Sequence, residues 1–179
     1  MNPPIALSSQ QLNFFETFGF LHFPGLIADR IGEVSDAFDT LFENQNGVPG
    51  GPHDGTVRTC MLPFLDKCEY LSSLLDDARI NGIASSILGD DYNYMGSDGN
   101  YYVGDTYWHR DGCMEREFRH LKIAFYLDPV TSRSGALRVI PGSHRIDDRF
   151  GSALTSQVFG PEANLGVNAW NVPSVALET

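Results

Sequence analysis

The chain has 179 residues, of which 42% are hydrophobic and 20% charged, a composition typical of one folded globular domain and not of a disordered or fibrous chain. Its 23 Asp and Glu against 12 Lys and Arg give a net charge of -11, which disfavours nucleic acids and anionic membranes as partners. Three cysteines without paired spacing exclude a disulfide framework and a zinc knuckle, and no apolar run reaches the roughly 18 residues of a membrane span. We therefore expect a cytoplasmic protein.

The first half of the chain predicts helices, because apolar residues recur there at a spacing of three and four positions. A serine precedes the first apolar series as an N-cap, and glycine follows the first and the third series as a stop signal. Between the second and third series, residues 45–59 are rich in Gly and Pro and predict a long loop. The three predicted helices cover residues 8–18, 27–44 and 68–88.

From Tyr92 onward, short runs rich in Tyr, Val, Ile and Phe alternate with turns of Gly, Asp, Ser and Pro. This pattern is typical of an antiparallel β-sandwich or barrel. The turn-rich residues 128–135 predict that the runs on either side of them pair as an antiparallel hairpin. A further short strand is predicted between the first two helices, at residues 20–23. The other predicted strands are 92–95, 100–103, 106–111, 121–127, 136–140 and 173–177.

One histidine has a carboxylate two positions away within a strand-like run, namely His109 with Asp111. Because side chains alternate along a strand, these two side chains are expected on one face while Arg110 points the other way. An imidazole and a carboxylate are two of the three ligands of a 2-His-1-carboxylate site, which leaves positions open on iron(II) for a co-substrate and dioxygen. An ordinary hydrogen-bonded surface pair is the alternative at this point.

Further motifs accompany this H-x-D motif in a fixed order. They are residues 121–128 (LKIAFYLD), 134–137 (SGAL) and 140–145 (IPGSHR), preceded near the N-terminus by residues 18–21 (FGFL). Taken together, and from about residue 10 to the end, the sequence resembles the phytanoyl-CoA dioxygenase family of iron(II)- and 2-oxoglutarate-dependent oxygenases. Several separated motifs in the same order are more specific than any one of them.

The resemblance implies a mainly β fold, a cupin-like double-stranded β-helix or jelly roll, flanked by helices. One oxygenase domain would then span residues 1–179, with helices over about 8–89 and jelly-roll strands from about 92. It also implies His109 and Asp111 as ligands of Fe(II), with 2-oxoglutarate and O2 as co-substrates. The expected reaction is hydroxylation of a small organic substrate with release of succinate and CO2. Because related halogenases carry Gly or Ala in place of the carboxylate, Asp111 argues against halogenation.

The resemblance is incomplete at the C-terminal side. In the family, a second histidine ligand and an arginine that pairs with 2-oxoglutarate follow a Gly-Asp turn downstream of the P-G-S-H box. Residues 172–179 resemble the strand before that turn, and neither residue comes after them. We expect the 179 residues to be a fragment whose last jelly-roll strands are missing. A cupin-like binding module or an inactive relative that lacks the distal His and Arg is the alternative.

Three further residues are candidates for binding within such a site. Tyr102 lies on the strand before the H-x-D motif, and Lys122 lies on the strand after it. Either side chain is able to hold a carboxylate of 2-oxoglutarate by a charge-assisted hydrogen bond, although a rim lysine and a packed tyrosine explain them equally well. Arg110 is expected either to contact the substrate or to support the metal ligands from behind.

The remaining histidines have structural explanations in the sequence. His144, in the P-G-S-H box, is expected in a structural turn, and His120, which opens strand 121–127, at an exposed strand end. His22, on the short apolar strand 20–23, is expected in the core or an interface. His53, in the Gly-rich loop, is the one of these four that is a candidate for approaching a substrate.

Overall fold

A computed structural model describes most of the chain in two compact units. One unit comprises Met1–Ala6 and Gly25–Gly104, and the other comprises Leu7–Pro24 and Asp105–Thr179; below they are called unit 1 and unit 2. The single domain predicted for residues 1–179 stays a prediction. The structure describes residues 5–44, 53–104, 106, 108–111, 118–145, 147, 149–159 and 173–179.

The described elements are short, and the helices among them contain more residues than the strands. In chain order they are α1 (Ser9–Phe18), α2 (Ile31–Asn44), β1 (Thr59–Met61), a 3-10 turn (Leu65–Lys67), α3 (Glu69–Ser72), α4 (Ala78–Leu88), β2 (Gly99–Tyr101), β3 (Leu137–Val139), α5 (Arg149–Phe159) and β4 (Val175–Leu177). No helix within these ranges is long and apolar enough to cross a membrane.

The core of unit 1 lies around the apolar face of α2. Val34, Phe38 and Phe42 recur every four residues on that helix and are all buried, as an amphipathic helix requires. The rings of Phe38 and Phe64 lie 5.1 Å apart, and the ring of Tyr101 lies 5.0 Å from that of Phe38. These tilted and edge-to-face contacts are the preferred aromatic geometries, so the cluster ties α2 to the end of β2.

Strands β1 and β2 of unit 1 form an antiparallel pair in which Met61 is opposite Gly99. Gly99 is buried, and a Cβ atom placed on it would overlap the ring of Phe64. The close approach of the β2 backbone to this ring therefore requires glycine.

Gly99→Ala is expected to lower the free energy of unfolding by about 1–3 kcal/mol, because a methyl group forced into a packed site displaces its neighbours. Gly32→Ala on α2 is the matched control: no atom lies within 4 Å of its added Cβ, and alanine in a helix stabilises by up to about 1 kcal/mol. Urea unfolding of both variants measures the difference. Equal stability of the two variants would contradict the packing described here.

An ionic network closes the N-terminal end of α4 in unit 1, and its central pair, Asp77 and Arg79, is buried. Asp77 is the N-cap residue and accepts a hydrogen bond from the backbone N–H of Arg79 at 3.0 Å. The guanidinium of Arg79 donates to Asp77 at 2.7 Å, to Asp29 at 2.5 Å and to the carbonyl of Leu26 at 2.7 Å. Arg30 donates to the same Asp77 carboxylate at 3.4 Å. The network thus joins the turns before α2 to the start of α4.

Unit 2 contains α1, β3, α5 and β4. A capping box between Ser8 and Gln11 begins α1, and Gly19 at φ 82° ends it in the left-handed conformation, the usual device at a helix C-terminus. Strands β3 and β4 pair antiparallel, with Leu137 opposite Leu177. The turn over residues 141–145 lies against the end of α1, since Gly142 donates its backbone N–H to the carbonyl of Phe18 at 2.9 Å.

The predicted helices are confirmed in their positions and corrected in their bounds. The first predicted helix is α1, and the second ends at Asn44 as predicted but begins at Ile31, because turns occupy residues 24–30. The third divides into α3 and α4. Turns over residues 73–76 interrupt it, because the Asp77 side chain caps a new helix at that point.

The predicted strands are confirmed only in part. Predicted strands 136–140 and 173–177 each contain a short observed strand, and predicted strand 100–103 overlaps β2 only at residues 100 and 101. Residues 20–23, 92–95 and 121–127 are not strands, nor is the described part of 106–111. The predicted hairpin is wrong, because β3 pairs with β4 and not with residues 121–127. Local strand propensity does not specify a partner, and the mainly β jelly roll is not confirmed in the described ranges.

Helix α5 was not predicted, although the sequence carries a signal for it. Phe150, Leu154 and Val158 recur every four residues within Arg149–Phe159, which is helical spacing. Gly151, a weak helix former, lies inside the same segment. The segment also directly follows the turn-rich P-G-S-H box, so the turn signals obscure the start of the helix.

Candidate metal centre

His109 and Asp111 converge in unit 2. The Nε2 atom of His109 lies 3.5 Å from Oδ1 of Asp111, and the two side chains are 44% and 51% exposed. The convergence expected from their spacing is therefore observed, although the backbone of residues 108–111 forms no strand ladder. A partly exposed pair of this kind leaves room for a further group to approach both atoms.

Lys122 lies beside this pair and adds a third ionisable group to it. Its Nζ atom lies 3.2 Å from the second carboxylate oxygen of Asp111, and its side chain is exposed. An ion pair this exposed contributes at most about 1 kcal/mol to stability. The Asp111 carboxylate therefore lies between an imidazole on one oxygen and an ammonium on the other, and both neighbours remain accessible to a ligand.

Arg110 lies between the two converging residues in sequence but makes different contacts. Its Nη2 atom donates to the backbone carbonyl of Ser143 at 2.8 Å and to that of Gly151 at 3.3 Å. The first acceptor belongs to the turn over residues 141–145 and the second to α5. The sequence pattern carries no signal for either acceptor, because both are backbone carbonyls, 33 and 41 positions away.

Trp108 precedes the pair and is contacted by the guanidinium of Arg138 on β3. The guanidinium carbon lies 5.9 Å from the centroid of the indole ring, within the range of a cation–π interaction. Residues 108–111 therefore contact β3 through Trp108 and the 141–145 turn through Arg110. The sequence offered only the aromatic character of Trp108 as a signal for the first contact.

His144 is a structural histidine of the turn, as expected. Its Nε2 atom lies 3.1 Å from the backbone carbonyl of Glu16 on α1. A Cβ atom at Gly19 would overlap the imidazole ring, so glycine is needed both for the positive φ of the helix end and for this approach. His144 thus fixes the turn to the end of α1.

Tyr102 belongs to unit 1, whereas Lys122 belongs to unit 2. The Tyr102 side chain is exposed, and the guanidinium of Arg58 lies over its ring at 4.7 Å from the centroid. Arg58 also donates two hydrogen bonds to the side-chain oxygen of Asn100, at 2.9 and 2.6 Å. The guanidinium of Arg58 therefore lies over an exposed phenol ring on the surface of unit 1.

The other histidines are divided between surface and packing positions. His53 stacks on the ring of Tyr101 at 4.5 Å and lies 2.9 Å from the hydroxyl of Thr59, so the described contacts place it in the aromatic cluster of unit 1. His120 is exposed, as expected. The core position expected for His22 is wrong, because the residue is exposed, whereas its alternative position in an interface stays a prediction. Cys60 and Cys68 are unpaired thiols, and Cys113 lies outside the described residues.

The donor set of His109 and Asp111 fits part of an iron site. One imidazole nitrogen and one carboxylate oxygen are ligands of the kinds that non-haem iron(II) takes, and they are two of the three that a facial triad needs. Within the described ranges, no group of three or more His, Cys, Asp and Glu side chains is placed to hold a metal ion. The described residues thus supply two ligands and do not supply the third.

Comparison with known proteins gives two matches. The family described as Phytanoyl-CoA dioxygenase (PhyH) matches residues 15–157, a range that contains the H-x-D motif and the P-G-S-H turn. An ectoine dioxygenase from Sphingopyxis alaskensis is 34% identical over 180 residues, which cover 86% of this chain and 58% of the relative. The chain thus spans less than two thirds of the length of that relative. No solved structure matches the chain significantly.

Proposed function

The chain belongs to the phytanoyl-CoA dioxygenase family, and from this membership we propose that it acts as an iron(II)- and 2-oxoglutarate-dependent dioxygenase. The observation that carries the proposal is the family match over residues 15–157, which includes the converging His109 and Asp111. The proposed fold is the family's cupin-like jelly roll with flanking helices. The cytoplasmic location expected from the sequence stays a prediction.

His109 and Asp111 are the proposed iron ligands. When bound there, iron(II) supplies oxidative decarboxylation of 2-oxoglutarate to succinate and CO2, coupled to hydroxylation of the substrate by O2. The side chains contribute an imidazole nitrogen and a carboxylate oxygen that lie 3.5 Å apart. We propose that the third protein ligand comes from outside the described residues, because the described ones form no larger donor group. We propose the same for the arginine that pairs with 2-oxoglutarate, since in the family it follows that ligand along the chain.

Lys122 is the proposed binding residue for a carboxylate of 2-oxoglutarate. The support for this role is its ammonium, 3.2 Å from Asp111 and exposed, so that a cation borders the proposed ligand pair. A co-substrate carboxylate that accepts a hydrogen bond from it would gain a charge-assisted contact. Tyr102, whose exposed ring in unit 1 is covered on one face by the guanidinium of Arg58, stays a second candidate for binding a carboxylate of 2-oxoglutarate.

The proposed substrate is a free small organic molecule. The excess of acidic residues disfavours polyanionic partners, and the curated relative is named for ectoine. Ectoine is therefore the first compound to test, followed by other small metabolites and then by CoA thioesters. Turnover only on CoA thioesters would contradict the proposal of a free metabolite.

A cupin-like binding module without redox chemistry is the second candidate. It is favoured by one observation, the lack of a third donor beside His109 and Asp111 in the described ranges. The two functions differ in whether 2-oxoglutarate is consumed, since a binding module would bind ligands without producing succinate.

Anaerobic titration of the purified protein with iron(II) and then 2-oxoglutarate is expected to produce the weak visible charge-transfer band of a 2-keto acid bound to such iron. His109→Ala is expected to abolish the band by removing the nitrogen donor. His22→Ala is the matched control, because this histidine is exposed and far along the chain from the H-x-D motif. It is expected to retain the band.

The same samples then receive O2, and succinate is quantified. Succinate formed by the unsubstituted protein and by His22→Ala, but not by His109→Ala, supports the dioxygenase. Iron binding without succinate formation supports the binding module. A charge-transfer band of full intensity in His109→Ala would show that His109 is not a metal ligand.

A further inference from the structure

We propose that Arg110 is a positioning residue that fixes the segment carrying His109 and Asp111 to the turn over residues 141–145. The role rests on the proposed iron site, because it concerns the direction of the two proposed ligands. It goes beyond that site by assigning a task to a side chain that lies between the ligands and does not itself bind metal.

The contacts of the guanidinium define this role. Arg110 is half-buried, and its Nη2 atom donates to the carbonyls of Ser143 and Gly151 at 2.8 and 3.3 Å. Hydrogen bonds from a charged donor are about twice as strong as neutral ones. Both acceptors are backbone atoms, so their positions are set by the turn and by α5 and not by a side-chain rotamer. The Nη2 atom is therefore directed into the protein framework and not toward an incoming substrate.

The turn that receives Arg110 is itself held at several points. The buried Gly142 donates its N–H to Phe18 at 2.9 Å, and Nε2 of His144 lies 3.1 Å from the carbonyl of Glu16. Within the turn, the N–H of Ser143 is bonded to Ile140 at 3.1 Å. The carbonyl of Ser143 is thus presented by a segment that the end of α1 already restrains.

The position of Arg110 in the chain makes this restraint act on both proposed ligands. His109 and Asp111 are joined to it by one peptide bond each, so a displacement of the Arg110 backbone turns both neighbouring side chains. Groups that orient metal ligands from behind typically change metal affinity by about 10–100-fold when removed. The structure thus assigns to Arg110 an effect on iron affinity that is transmitted through backbone position.

The test compares Arg110→Met, Arg110→Lys and the control Arg133→Met, which removes an exposed arginine from the 131–134 turn of the same unit. Iron(II) affinity is measured anaerobically by competition with a chelator, and thermal unfolding is measured on the same metal-free samples. Arg110→Met is expected to weaken iron(II) binding by about 10–100-fold. Arg110→Lys is expected to recover part of this loss, since its ammonium retains a charged donor on a shorter side chain. Arg133→Met is expected to leave iron affinity unchanged.

Hydrogen–deuterium exchange of the metal-free protein provides a readout that does not require iron. Arg110→Met is expected to accelerate exchange over residues 109–111 and 141–145 while the amides of α2 and α4 keep their protection. If the unsubstituted protein fails to bind iron, the proposed function fails, whereas this exchange comparison still decides whether Arg110 fixes the segment. If Arg110→Met does not fold, Arg110→Lys carries the comparison with Arg133→Met.

Three results would overturn the positioning role. The first is iron affinity and exchange in Arg110→Met equal to those of the unsubstituted protein. The second is unchanged iron affinity with a raised KM for the organic substrate alone, which would assign Arg110 to substrate contact. The third is a uniform loss of protection in both units, which would show a general structural role.

Discussion

Asp111→Ala is expected to abolish the coupled hydroxylation proposed for this protein, the largest effect on activity expected of any single substitution. The substitution removes the only anionic donor of the proposed pair and leaves the ammonium of Lys122 beside His109, because Nζ lies 3.2 Å from the carboxylate that is lost. A positive charge that the Asp111 carboxylate no longer offsets opposes a divalent cation, in addition to the lost ligand. Iron affinity is expected to fall by more than roughly 100-fold, the upper limit that is typical when a group that orients a metal ligand is removed.

The measurement is succinate and hydroxylated product formed per molecule of protein, in chloride-free buffer. Chloride is excluded because halogenases related to this family carry Gly or Ala in place of the carboxylate. Lys122→Met is the matched control, since it removes the partner of Asp111 and keeps the carboxylate itself. It is expected to retain iron(II) affinity and to raise the KM for 2-oxoglutarate. Unchanged turnover in Asp111→Ala would show that the metal ligands lie elsewhere.

The convergence of His109 and Asp111 could be predicted from the sequence because it depends on local geometry. Two side chains at positions i and i+2 lie on the same side of any extended backbone, whether or not a neighbouring strand completes a ladder. The predicted convergence is therefore observed, although the described part of the predicted strand 106–111 is not a strand. The contact of Arg110 with Ser143 and Gly151 depends instead on how distant segments pack, and no spacing rule encodes it.

The same distinction separates the helices from the strands. Each helix closes its hydrogen bonds within its own segment, so the apolar period and the caps at Ser8 and Gly19 were sufficient for α1. A strand needs a partner, and β3 finds its partner in β4, about forty residues later in the chain, and not in the adjacent run 121–127. Strand propensity identified residues that can pair but did not determine which segments pair.

Arg79→Met is expected to lower the free energy of unfolding by about 3–5 kcal/mol, the usual cost of removing one partner from a buried ion pair. The side chains of Asp77 and Arg79 are only 7% and 10% exposed, so solvent screens their interaction weakly, and Arg30 at 3.4 Å is the partner that Asp77 keeps. Arg119→Met is the control, because Arg119 pairs with Glu16 at 2.6 Å with both side chains more than half exposed. A loss of at most about 1 kcal/mol is expected there, and urea unfolding at neutral pH compares the two. Similar losses in both variants would contradict the assignment of a stabilising role to the ionic network.

The pH dependence of stability provides a second, independent measurement of this network. Hydrogen bonds from Arg79 hold the pKa of the Asp77 carboxyl far below its ordinary range, and burial opposes this shift without cancelling it. Because the folded-state pKa is depressed, the stabilisation is complete above the unfolded-state pKa of about 3.9 and is lost as the pH falls below that value. Asp77→Asn is expected to lower stability at neutral pH and to flatten the decline between about pH 5 and pH 2, since an amide has no proton to gain in that range. If the stability of Asp77→Asn declined equally steeply as the pH falls, the loss of stability in acid would come from other carboxylates and not from Asp77.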